Sequence, residues 1–87
     1  MRKDEALNVA KIFKVLKDAK GYIWIREIAR RTNLNHKTVS RLLSKYFTPF
    51  LEVQYLPFRI KLVKLKDNID FNRFINYWKI KKLEEII

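Results

Sequence analysis

The chain has 87 residues, 48% hydrophobic and 14% aromatic, with no cysteine, one glycine and two prolines. This is the make-up of one small domain, 1–87, with a thin core, and it excludes a disulfide framework, a thiolate metal site, a cysteine nucleophile and a low-complexity tail. Twenty Lys and Arg against nine Asp and Glu give a net charge of +11, so the expected partner is a polyanion, and of the polyanions nucleic acid fits a chain of this size best.

Residues 4–19 predict an amphipathic helix, with Ala6, Val9, Ala10, Ile12, Phe13 and Leu16 on one face and Lys11, Lys14 and Asp18 opposite. Asp4 and Glu5 suit its start and Lys17 and Lys20 its end, and Gly21 stands where a left-handed cap is expected. Tyr22–Trp24 reads as a very short strand. Residues 25–32 return to helical spacing, with Ile25, Ile28 and Ala29 inside. Asn33 tolerates the left-handed conformation, and Asn35 is an N-cap for a helix from His36 to about Tyr46 that buries Val39, Leu42 and Leu43. Thr48, before Pro49, is biased out of the helical region and should mark that helix as finished.

From residue 50 to 66 the period changes to that of a β-hairpin. A two-residue connection at Pro57-Phe58 would set Tyr55 against Ile60 and Val53 against Leu62, leaving Lys61, Lys64 and Lys66 to guard against edge pairing, although the connection lacks the usual two-residue turn chemistry and a longer loop stays open. Asp67, Asn68 and Asp70 offer caps for a last helix of about 70–86. That helix starts with the stripe Phe71, Phe74, Ile75 and Trp78, then moves its apolar residues to Ile80, Leu83 and Ile87. The second face needs a cover, and a second copy of the chain is the economical one, so a homodimer through the helix of 68–87 is expected.

The positive excess peaks between residues 22 and 49, around Arg26, Arg30, Arg31, Lys37, Arg41 and Lys45. The same stretch holds IREIARRTNLNHKTVSRLLS, residues 25–44. Two helices crossing through a short turn need a small residue on the first, which Ala29 supplies, a left-handed turn residue, which Asn33 supplies, and burial at i and i+3 of the second, which Val39 and Leu42 supply. Asn35, His36, Lys37, Thr38, Ser40, Arg41 and Ser44 then face outward, all able to hydrogen-bond base edges or phosphates.

This stretch resembles the helix-turn-helix of bacterial and archaeal transcription regulators, and with the preceding helix, short strand and following hairpin the chain resembles a winged helix-turn-helix domain over 4–66. The resemblance is carried most strongly by TVSRLL, Thr38 to Leu43; Asn33 stands where that family usually has glycine. It implies an α+β, mostly helical fold, with a three-helix core, a hairpin wing and an added C-terminal helix. It further implies that the helix of about 36–46 enters the major groove of double-stranded DNA, that the wing touches the backbone or minor groove, that dimers are frequent, and that the function is transcription regulation.

Arg30, Arg31 and Lys45 are expected at phosphates beside this helix, and Arg59 and Lys61 on the wing. Phe58 is expected to fold back on the domain, and Trp24 and Trp78 to lie in the core or at an interface. No glycine-rich phosphate loop, Ser-His-Asp arrangement or metal-ligand spacing is present, so neither catalysis nor a metal or other cofactor is expected. No small-molecule effector site is evident. No apolar run approaches the roughly 20 residues of a membrane span, residues 1–14 carry charges through their apolar pattern unlike a secretory signal, and a cytoplasmic, nucleoid-associated protein is expected. Two other functions fit the same charge and size: an architectural protein coating DNA with little sequence preference, and a protein-interaction module.

Overall fold

The structure, a computed structural model, describes residues 3–77. It is α+β and mostly helical, with a small three-stranded antiparallel sheet. Helix α1 (Lys3–Ala19) buries Val9, Ile12, Phe13 and Leu16, the helical spacing read from the sequence, although Ala6 is exposed and its apolar face starts a turn later than expected. The reversal that ends α1 falls on Lys20, at φ 54°, and not on Gly21, which has no positive φ and open space where a Cβ would stand. The helix stops at Ala19, two residues before the glycine, and the residue directly after the last helical turn takes the left-handed corner.

Strand β1 (Ile23–Trp24) leads directly into helix α2 (Ile25–Thr32). Trp24 precedes α2 with no side-chain cap. Ile28, Ala29 and Thr32 form the buried stripe of α2, and the Thr32 hydroxyl is satisfied by donating to the Ile28 carbonyl at 2.7 Å. Helix α3 (His36–Leu42) follows and runs on into a π-type turn, Leu43–Phe47, and a 3-10 turn, Thr48–Phe50. Helical backbone therefore persists beyond the expected break. Thr48 sits at φ −49°, ψ −45° despite preceding Pro49, and its hydroxyl donates to the Ser44 carbonyl at 2.8 Å, a local bond that favours this geometry against the proline's bias.

Strands β2 (Leu51–Leu56) and β3 (Ile60–Leu65) form the hairpin, joined by the three residues 57–59. The pairs are Leu51 with Leu65, Val53 with Val63, Tyr55 with Lys61 and Leu56 with Ile60, one residue away from the two-residue register. Phe58 at φ 67°, ψ 25° supplies the left-handed residue that a three-residue connection uses. Strand β3 is central, between β1 and β2, so its lysines do not guard an outer edge; β2 is the long edge strand. Register with β1 is Ile23 to Val63 and Trp24 to Leu62.

Helix α4 begins beyond a left-handed Asn68, and its described part is 71–77. Asp70 caps it, accepting the Arg73 N–H at 2.7 Å. Phe74, fully buried, stacks on Phe47 with ring centroids 4.8 Å apart and meets Phe13 and Phe50 at 5.3 and 5.2 Å. These rings join α1, the segment after α3 and α4 into one core. Lys17 donates to the Ile69 carbonyl at 2.8 Å, tying the approach to α4 against α1. Trp78 and the expected dimer residues Ile80, Leu83 and Ile87 lie outside the described residues.

Candidate nucleic-acid interface

The crossing of α2 and α3 is set by one small residue. The Ala29 carbonyl accepts both the Asn33 N–H and the Leu34 N–H, the latter at 3.1 Å, and Asn33 adopts φ 59°, ψ 30° to make this possible. A side chain larger than alanine at 29, itself buried, would hold the helices apart. Asn35 then accepts the Lys37 N–H at 2.8 Å and so starts α3; that oxygen is committed to capping. Val39 and Leu42 are fully buried behind α3. On its outer side His36, Lys37 and Arg41 are exposed, as are Ser44 and Lys45 in the turn that follows, while Thr38 and Ser40 are half-buried. Of the expected polar residues of 35–45, Arg41 and Lys45 turn toward Glu5 of α1, while His36 and Ser40 turn toward the hairpin.

The cations of this region are not equivalent. Glu27 on α2 holds Arg30 and also Arg31, the latter at 3.0 Å. Glu5 on α1 accepts from Arg41 at 2.7 Å and from the Tyr46 hydroxyl, with Lys45 at 3.6 Å. The Tyr46 hydroxyl and the Arg41 guanidinium hold the Glu5 carboxyl down to about 2, and Arg30 and Arg31 do the same to Glu27. The Tyr46 phenol is pushed up by burial and by its carboxylate acceptor. Lys37 has no ion pair among the described residues.

The two carboxylates differ in how far the local sequence announces their partners. Glu27 had a local signal, three and four residues before its arginines on one helix face. Glu5 had none, because its partners lie 36 to 41 positions away and meet it only through tertiary packing.

Between the start of α3 and the tip of the hairpin lies an open cleft of about 500 Å³. Trp24, Ile25, Phe58 and Ile60 give it apolar walls, and Arg26, His36 and Lys61 line it as well. One expectation is narrowed here and one is corrected. Of the two places expected for Trp24, core or interface, the core is excluded: it is 49% exposed, because Ile23 takes the inward position of β1 and strand alternation turns its neighbour outward. Phe58 is 94% exposed and does not fold back; its left-handed backbone sits at the outermost point of the turn. Lys61 is half-buried, and the Arg59 side chain lies outside what is described.

Among the described residues no group of three or more His, Cys, Asp or Glu side chains could hold a metal ion, and no helix is long and apolar enough to cross a membrane. Comparison with protein-family models, with curated proteins and with solved structures yields no match to this chain.

Proposed function

We propose that the protein binds double-stranded DNA by placing α3 in the major groove, as a winged helix-turn-helix transcription regulator with the β2–β3 hairpin as its wing. The observation that carries this reading is the two-sided α3 packed across α2. Val39 and Leu42 are fully buried, and His36, Lys37, Arg41, Ser44 and Lys45, all able to contact bases or phosphates, are exposed. The net charge of +11 supplies the sequence-independent attraction to phosphate. In the same reading two copies pair through Ile80, Leu83 and Ile87.

Lys37 carries the decisive test, since it is exposed and has no ion pair among the described residues. Lys37→Ala should weaken binding to a duplex by about 1–3 kcal/mol at roughly 0.15 M salt while leaving thermal stability at the parent's value. A variant that binds as tightly as the parent removes α3 as the reading element. Pairing is checked by light scattering of the parent and of a Leu83→Lys, Ile87→Lys double variant, where a monomeric parent removes the dimer.

A further inference from the structure

The cleft beside α3 combines features that duplex recognition by α3 leaves unused. Its walls include two aromatic side chains, and neither is in the core. Phe58 is 94% exposed and Trp24 half-exposed. Aromatic rings on a chain this small are worth most when buried, yet Phe58 is held at the hairpin tip by a backbone conformation that phenylalanine seldom adopts. Arg26 and Lys61 line the same cleft, His36 opens onto it from the start of α3, and among the described residues no carboxylate lines it.

That charge pattern selects the occupant. An apolar ligand would leave the cations unmatched, and an anion alone would leave the rings wet. A flat, stackable group linked to a phosphate satisfies both, which is the combination used by single-strand sites: aromatic faces for bases and cations for the backbone. The volume of about 500 Å³ lies within the roughly 300–1,000 Å³ of small-ligand sites.

We infer that this cleft is a site for an unpaired nucleotide of DNA, its base stacked on Phe58 or Trp24 and its phosphate against Arg26 and Lys61. The protein then prefers a duplex carrying a single-stranded end or gap over a continuous one. The inference rests on the reading above only in taking nucleic acid as the partner.

The test uses the full chain and three labelled probes: a blunt 20-base-pair duplex, the same duplex with a five-thymidine 3′ overhang, and free oligothymidine. The overhang should tighten binding about tenfold, the scale of one stacked base. Phe58→Ala should erase that gain, bringing the ratio of overhang to blunt-duplex affinity to about one, while Phe58→Tyr should keep it. Trp24→Ala, checked for folding by circular dichroism, should reduce it as well. An overhang that adds nothing while the blunt duplex binds overturns the inference and leaves the duplex reading standing. Binding of overhang and oligothymidine with no blunt-duplex binding upholds the inference and removes the duplex reading. A gain that survives Phe58→Ala overturns the assignment to this cleft, as does displacement of the overhang by an acidic tryptophan-containing peptide at lower concentration than by oligothymidine.

Discussion

Behind α3 and the turn that follows it stand Val39, Leu42, Leu43 and Phe47, all fully or almost fully buried. The hairpin is different: beyond Leu51, strand β2 buries none of its side chains, and β3 buries only Val63 and Leu65. The two elements proposed to touch DNA are thus supported differently. One is fixed by a core and has two of its cations, Arg41 and Lys45, already matched to Glu5. The other is fixed by a backbone ladder and holds exposed rings at its tip. Buried side chains of the packed element should govern stability, and side chains at the tip should govern binding alone.

The sharpest contrast is between two phenylalanines. Phe47→Ala empties a fully buried position in contact with Phe74 and should cost about 3–5 kcal/mol in chemical denaturation. Phe58→Ala should stay within about 0.5 kcal/mol of the parent. A loss beyond 1 kcal/mol at Phe58 would show that the tip is packed after all and would break the contrast.

Glu5→Gln tests whether the matched cations are held in reserve. Freed from the carboxylate, Arg41 and Lys45 should bind duplex DNA several-fold more tightly at low salt, with the gain fading as salt rises. The same variant has a defined pH signature. The folded state lowers the Glu5 carboxyl from 4.5 to about 2, so its contribution is complete above 4.5 and lost as pH falls toward 2. The stability gap between parent and Glu5→Gln should be constant above pH 5 and shrink steadily below 4.5; a gap that does not change with pH would mean that the ion pair is absent in solution.

A smaller effect separates the tip from α3 by its salt dependence. Lys61→Ala should lower the log–log salt slope of duplex binding by about 0.9, with equal weakening on any sequence, since a phosphate contact reads no base. The least of the four effects is at Gly21, which links α1 to the sheet. With no positive φ and nothing within 4 Å of an added Cβ, Gly21→Ala should stabilise by about 0.4–1 kcal/mol, seen as a Tm rise of a few degrees.

Helix positions were legible because their signals are local. The 3.6-residue spacing marked Val9, Ile12, Phe13 and Leu16. Asn33 and Asn35 marked the turn and the cap, and Asp70 was among the three caps offered for the last helix. The hairpin register was not legible, since it turns on the left-handed conformation of Phe58, a residue type that does not advertise it. Glu5 was read for its place at a helix start, and nothing within its own helix announces Arg41. The outward turn of Trp24 was within reach: with Ile23 inside, its strand neighbour must point away.

Among the described residues, four reversals rest on residues that bear side chains: Lys20, Asn33, Phe58 and Asn68 all take positive φ. A chain with one glycine in 87 residues has a comparatively stiff unfolded ensemble, because each side chain narrows the backbone freedom there. Left-handed geometry costs about 1–2 kcal/mol for an ordinary residue and less for asparagine, while a glycine at such a corner would loosen the unfolded chain by about 0.4–1 kcal/mol. The two quantities nearly cancel at Asn33 and Asn68 and do not at Lys20 and Phe58. At Lys20 and Phe58 the native backbone therefore carries strain that the narrower unfolded-state freedom of those same two residues only partly offsets.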